Sequence, residues 1–387
     1  MELPFSSTPQ TPPPRRPQMA VSFAAPAAAS GGGLMDTVSS VAAAVGIDLS
    51  SDAVDPWQRS VTTIVCDSHL APRVDQAHIV LAFDSQSPTF NLGDSGSIEL
   101  GYAEDQLYSV FSGAIISIQS ALERQAALTI GNGGQRLSQL RTNQSFEQQS
   151  AGDIVQALAD LAEVETGTVE AGADLPFYVV DDGRNLYQHI ATLAEKSGLL
   201  ACIDGEGKLQ FREAPGSAPE QTFHYGVDIL QLRLQRSEPP LQQLTLIGAG
   251  AAGSQGSDAW SWLVKDPQSI SATVGEGASV RLQADPSLRS SDAVQQAAAG
   301  KLFFARQRAL KVRLVVLGAP NIRAGSKIEI ADAPQPEWNG TAVVESVRHQ
   351  YSKLKGFTSD ITALLESADN SMDSLLAGAL GALGGLL

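Results

Sequence analysis

The sequence predicts an α+β protein, mainly β, with two antiparallel β-barrel domains, an α/β module between them and an insertion in the second barrel. Three observations carry this. Residues 60–130 alternate apolar and polar side chains in short runs separated by turn residues. Helical spacing replaces that pattern after Ser150. A last block, Val312–Leu365, returns to strand pattern and repeats the order of the first.

In chain order, seven of the twenty prolines lie in the first 26 residues, followed by Gly31, Gly32 and Gly33. Proline removes backbone donors and nothing there fills a core, so a mobile arm is expected. Leu34, Val38, Val41 and Val45 fall at helical spacing and predict a short helix over Leu34–Leu49. Strands are expected at Val61–Cys66, His78–Phe83, Ser97–Leu100, Tyr108–Phe111, Ala114–Ile118 and Ala127–Ile130. Turns at Leu70–Arg73, Asn91–Gly96 and Ser112-Gly113 divide them.

Ser150 caps a helix with Ile154, Leu158 and Leu161 on one face. A second helix, Asn185–Ser197, turns Leu186, Ile190 and Leu193 inward and stops at Gly198. A hairpin follows, Leu199–Ile203 and Lys208–Phe211, turning through Asp204-Gly205-Glu206-Gly207. Strand pattern returns at Gln231–Ile247, and a Gly/Ser-rich excursion and a helix at Ser291–Gln307 precede the last block.

In that block Gly325–Ile330 matches Gly96–Leu100 with one insertion, and Gly340 stands in the place of Gly113. Each copy ends in another strand, Ala127–Ile130 and Ser359–Leu364. Gly113 and Gly340 are therefore expected to bend a strand at a barrel corner. The chain ends on an apolar segment with six leucines and one charge in Met372–Leu387. Its stripe of Leu375, Leu376, Leu380 and Leu383 suits either the protein's own core or a partner surface. The expected divisions are an arm at 1–56, a first barrel at 57–143 and an α/β module at 144–220. A second barrel at 221–366, with an insertion at about 249–309, and the apolar segment at 367–387 complete them.

Composition narrows the function. Lys+Arg 26 against Asp+Glu 42 gives a net charge of −16. Such a surface disfavours sequence-independent nucleic-acid binding and anionic membranes, both of which need basic residues. Cys66 and Cys202 are too few for a disulfide framework or a structural zinc site. No apolar run reaches the roughly eighteen residues of a membrane-spanning helix. A protein of a reducing compartment, with cytoplasmic assembly, is expected.

Motifs with a chemical look fall short of chemistry. Gly93-Asp94-Ser95-Gly96-Ser97 has the form of a serine-protease nucleophile loop, but His69 and His78 stand in no matching context, so a polar turn is expected. Gly248-Ala-Gly250-Ala-Ala-Gly253 has the dinucleotide spacing, but no helical pattern follows it and no β-α-β unit surrounds it. His69, His78, His189, His224 and His349 show no metal spacing. The carboxylate pairs Asp181/Asp182 and Glu163/Glu165 read as helix-end residues of an acidic chain. No catalytic, cofactor or metal residues are assigned.

Several segments together resemble the hub proteins of contractile injection machines. These are the late-control D family of myophage baseplates and the base of VgrG spike proteins. The resemblance spans roughly residues 58–366. Its most specific part is Asp182–Gly198 with the hairpin to Phe211, similar to the family's E-S-D-x-x-F-L-x-x-L-A-E-x-x-G…G-x-L-x-F signature, although Asn185-Leu186-Tyr187 replaces the usual core. Tyr108–Ile118, the helices after Ser150 and at Asp292–Leu302, and Arg348–Asp360 add weaker matches. No β-helix or OB-fold pattern follows residue 366, so the resemblance implies a hub without its spike. It implies two tube-like barrels per chain and a homotrimer joining a sixfold inner tube to a trimeric spike. Other baseplate proteins, and a tape measure or cargo, are further implied partners, with a final place in a virion tail or injection particle. A baseplate-associated cell-wall hydrolase and a carbohydrate-binding β protein are the alternatives; four Trp and six Tyr make a thin stacking platform for the latter.

Overall fold

The computed structural model describes residues 15–24, 55–82, 87–122, 124–214, 216, 218–251, 263–265 and 270–366. The expected helix at Leu34–Leu49 and the segment carrying Leu375, Leu376, Leu380 and Leu383 lie outside them.

Most strands belong to one large sheet, and most of that sheet is antiparallel. The first block contributes β1 (Pro17–Ala24), β2 (Val61–His69), β3 (Gln76–Ala82), β4 (Ser95–Tyr102), β5 (Leu107–Ala121) and β6 (Gln125–Gly131). The last block contributes β12 (Gln221–His224), β13 (Ile229–Arg236), β19 (Leu310–Leu317), β20 (Lys327–Ala331), β21 (Gly340–Ser352) and β22 (Gly356–Leu365). The sheet runs β1-β4-β5-β6-β3-β2-β21-β22-β19-β13, with β20 on β21 and β12 on β20. The two blocks are thus joined edge to edge through β2 and β21, which pair from Thr63↔Ser352 to His69↔Ser346.

Period-two burial builds the strands. Ile64 and Cys66 on β2, Ala77, Ile79 and Leu81 on β3, and Leu128 and Ile130 on β6 all point into the first core. Val312, Leu314 and Val316 on β19 do the same in the second. Two expectations need correction. Pro17–Ala24 is a strand, not part of a mobile arm: it pairs antiparallel with β4 and buries Met19 and Val21, which alternate with outward residues. Its proline stands at the first strand position, where a missing N–H is tolerated. Ser112-Gly113 is no turn either, but lies inside the 15-residue strand β5.

Helix α1 (Pro56–Ser60) precedes β2 within the first block; between the blocks lie α2 (Gly133–Gln139), β7 (Gln144–Ser150), α3 (Ala151–Leu161), β8 (Thr166–Val169), β9 (Asp174–Val180), α4 (Leu186–Ser197), β10 (Leu200–Ile203) and β11 (Leu209–Arg212). Helix α3 begins with a capping box of Ser150 and Asp153. Helix α4 begins with another, of Asn185 and Gln188, and ends on left-handed Gly198. The expected hairpin is β10–β11, and β8 adds to it in parallel. The polar strand β7, which pairs with β9, has one buried apolar residue, Phe146, and left no periodic signal.

The insertion leaves the second block after Arg236 and returns at Leu310, a longer excursion than 249–309. It holds β14 (Gln243–Ile247), β15 (Ala249–Ala251), β16 (Leu263–Lys265), β17 (Ser271–Gly275), β18 (Val280–Ala284) and α5 (Ser291–Gln307). β14 lies between β17 and β18 in its own sheet. Leu244, Leu246 and Val274 of that sheet and Val294, Ala298 and Leu302 of α5 share a core with α3 and α4.

Candidate assembly surface

The internal repeat can now be placed residue by residue. In the first block β4 pairs β5, β5 pairs β6, β6 pairs β3 and β3 pairs β2. In the last block β20, β21, β22, β19 and β13 pair in the same sequence. β-Bulges fix the register. The β5–β6 ladder skips Ile116, and the β21–β22 ladder skips Glu345. The β2–β3 ladder skips Thr62, and the β13–β19 ladder skips Leu230. The turns leading into the units agree as well. Gly93 and Asp94 exchange backbone bonds of 2.9 Å with Ile115, and Gly325 and Ser326 exchange bonds of 2.8 Å with Val344. Gly93 and Gly325 both sit at positive φ, 89° and 83°.

This register corrects the sequence alignment. Gly325 corresponds to Gly93, not Gly96, and Gly113 corresponds to Ala342, not Gly340. The two glycines are also needed for different reasons. A Cβ on Gly113 would collide with the carbonyl oxygen of Gly131. Gly340 has open space, its nearest neighbour being Leu365 Cδ1 at 4.0 Å, but its φ of 141° suits glycine alone.

Two charged pairs cross neighbouring strands, one at the joint between the units and one within the second unit. Arg348 on β21 holds Asp67 on β2 through two bonds of 2.6 and 3.0 Å. Arg313 on β19 holds Asp360 on β22, with Nε at 2.9 Å. Each aspartate lifts its arginine above the ordinary guanidinium value, first through the hydrogen bond and then through its charge. His349 is buried between β21 and β22. Its Nε2 donates to the Ile322 carbonyl at 3.0 Å and its Nδ1 accepts from Ser359 Oγ at 2.9 Å, while Ser359 Oγ also accepts from Ala319 N. Burial pushes the imidazole down to about 4, against the smaller lift of the Ile322 bond, so it is neutral and pins the 318–326 loop.

The densest polar cluster joins the insertion to α4. Lys196 Nζ lies 2.7 Å from Asp285 Oδ2, with Lys301 at 3.8 Å and the Tyr178 ring 5.6 Å away. Burial pushes the Asp285 carboxyl up, but Lys196, Ser287 and Lys301 outweigh it and hold it below the ordinary value. Burial lowers Lys196, with Asp285 resisting. Tyr178 Oη donates to His189 Nδ1 at 3.1 Å, and His189 Nε2 donates to the Asp181 carbonyl at 3.1 Å. These contacts fasten the insertion and β9 to α4.

Ser95 opens β4 opposite Ala114, and Asp94 accepts from the Asn91 N–H at 2.7 Å, so the protease-like motif is a strand-leading turn. The dinucleotide-like motif enters β15 at Ala249, and its last glycine lies outside the described residues. A cleft of about 980 Å³ beside Gly96, Gly113 and Glu206 has serines but, among the described residues, neither histidine nor lysine in its wall. Among the described residues no three of His, Cys, Asp and Glu cluster to hold a metal, and no helix is long and apolar enough to cross a membrane. Cys66 and Cys202 are buried and free, with burial raising both thiols, Cys202 to about 12.

No family model matches the chain, and no curated protein matches it in sequence. Solved structures do match in fold. A tail protein from Neisseria meningitidis MC58 is 13% identical, with a TM-score of 0.61 over 82% of this chain and 95% of that one. The 43 kDa tail protein of prophage MuSo2 from Shewanella oneidensis is 12% identical, with a TM-score of 0.59 over 79% and 94%. A type VI secretion component of E. coli, described as structurally similar to the T4 bacteriophage tail proteins gp27 and gp5, is 12% identical, with a TM-score of 0.50 over 80% and 74%. This mainly β α+β fold is therefore one that phage tail proteins and a type VI secretion component also have.

Proposed function

We propose that the protein is a structural, non-enzymatic baseplate hub of a contractile phage tail or related injection system. Three copies would adapt the sixfold inner tube to a trimeric spike, after cytoplasmic assembly into the particle. The observation that carries this is the duplicated five-strand unit, built twice in one chain and joined edge to edge. Two near-equivalent units per chain give a trimer six such faces at one end while it keeps threefold symmetry at the other. The fold shared with tail proteins supports the setting. The stripe Leu375, Leu376, Leu380 and Leu383 is assigned to contacts with tube, spike or baseplate partners, because an apolar stripe of this kind normally meets one. Light scattering on the purified protein, alone and with its spike, tests the reading. A trimer is expected in at least one state; a monomer in both overturns it.

A further inference from the structure

The joint between β2 and β21 closes only half of the edges that the repeat creates. On β21 one side is shared: β20 covers Gly340–Val343 and β2 covers Ser346–Ser352. On β5, its counterpart, β4 covers the first half of the same side. The second half, beyond Ile115, has no strand on that side among the described residues. On the partner edge, β2 has β3 on one side and β21 on the other, whereas its counterpart β13 has only β19 among the described residues. Among the described residues there are therefore two open edges, repeat-equivalents of the two edges already joined within the chain.

We infer that β13 of one copy pairs antiparallel with the end of β5 of the next copy, resting on the hub reading above. The bulges set the register. Thr62 corresponds to Leu230 and Glu345 to Ile116, so the internal pair Asp67↔Arg348 becomes Gln235↔Gln119 between copies. Cys66↔His349 becomes Leu234↔Ser120, and Ile64↔Tyr351 becomes Leu232↔Leu122. An amide pair thus stands where the chain uses an ion pair, and an apolar pair stands at the hairpin tip.

Burial supports the register independently. Tyr351 reaches across the internal joint into the first unit's core and is 8% exposed. Leu122, its counterpart, is 105% exposed, and Leu230, at the bulge of the open edge, is 54% exposed. Leu232 and Leu234 are only partly buried against the second core, whereas their counterparts Ile64 and Cys66 are sealed. An open edge strand reading Ile-Leu-Gln-Leu-Arg-Leu-Gln-Arg is a ready template for another strand. Because the two edges differ, the contact is head-to-tail, the kind that closes into a ring.

Directly opposed antiparallel residues have Cα atoms about 4.5–5.5 Å apart, within disulfide range. The double variant Gln119→Cys/Gln235→Cys is therefore expected to give a covalent ladder ending at trimer under mild oxidation, while each single variant gives none. The native thiols are buried and do not compete. Leu122→Glu, at a fully exposed position, is expected to keep the subunit's melting temperature and to lose self-association. A wild-type trimer with no ladder, or with Leu122→Glu still trimeric, overturns this joint and leaves the hub reading standing. A wild-type protein that is monomeric alone and with its spike, and forms no ladder, overturns both.

Discussion

The two five-strand units solve the same folding problem with different surroundings. Each leaves the outer edge of its third strand, β4 or β20, open, and each borrows a sixth strand to cover it. The first takes β1 antiparallel from the amino-terminal side; the second takes β12 in parallel. Pairing direction is thus not part of the repeated design, whereas the five-strand order and the bulges are. The hairpins differ in a more consequential way. From bulge to turn β21–β22 is longer than β5–β6, and the extra length carries Tyr351 and Phe357 into the first core. One joint is therefore built into the chain, with a bond from Tyr102 Oη to the Gly318 carbonyl at 3.1 Å behind it.

Removing the borrowed strand is expected to break the comparison most strongly. Deleting residues 1–24 strips β4 of its cover and takes Met19 and Val21 out of the first core. Loss of two buried side chains predicts about 3–5 kcal/mol, an upper estimate. Urea unfolding should show the loss; an unchanged midpoint would mean that β1 adds nothing to the first unit.

The glycines sharpen the comparison next. Gly113→Val forces a side chain onto the Gly131 carbonyl and should cost about 3 kcal/mol. Gly340→Val, whose Cβ has only Leu365 Cδ1 near it at 4.0 Å, pays mainly for φ, about 1–2 kcal/mol. Equal losses in thermal melts would restore the idea that both mark one structural corner.

These cases also mark what the sequence could reveal. Period-two alternation exposed β2, β3 and β6, because one face of each is sealed in a core. The cap of α3 was equally legible as Ser150, and the stop of α4 as Gly198. Gly113 read as punctuation because a Ser-Gly pair usually turns; only tertiary contact reveals that two backbones touch there. The alternation of Met19, Val21 and Phe23 could have revealed β1, but the surrounding prolines masked it. The order of the repeat was visible and its register was not, since a bulge at Ile116 or Leu230 leaves no mark on composition. The open edges of β13 and β5 were invisible for the same reason.

Acid should separate the units by a smaller margin. His349 has no titratable counterpart in the first unit, where Ser120 holds its place. Its value is about 4 folded against 6.5 unfolded, so the unfolded chain binds the extra proton between those limits. Stability is full above pH 6.5 and falls as pH drops toward 4, by about 2 kcal/mol at pH 5. His349→Gln should flatten that slope in melts from pH 7.5 to 5. A slope unchanged by the substitution would assign the acid loss elsewhere.

The smallest expected effect on stability is at the carboxyl-terminal side. The second unit is fastened at its last described residue: Glu366 N–H donates to the Thr341 carbonyl at 2.8 Å, its carboxylate accepts from Thr341 Oγ1 at 2.6 Å, and Lys327 Nζ lies 2.9 Å away. Leu364 and Leu365 are already buried within that clamp. A chain truncated after Asp373 keeps all of these contacts and loses the leucine stripe, so its melting temperature should be unchanged. Gly378, Gly381, Gly384 and Gly385 would each cost an isolated helix about 1 kcal/mol, which is the ground for proposing that the stripe needs a partner surface. The truncated chain should therefore enter assembled particles poorly while melting normally. A large fall in the midpoint would place the leucines in the protein's own core, and normal incorporation with an unchanged midpoint would remove their assigned role.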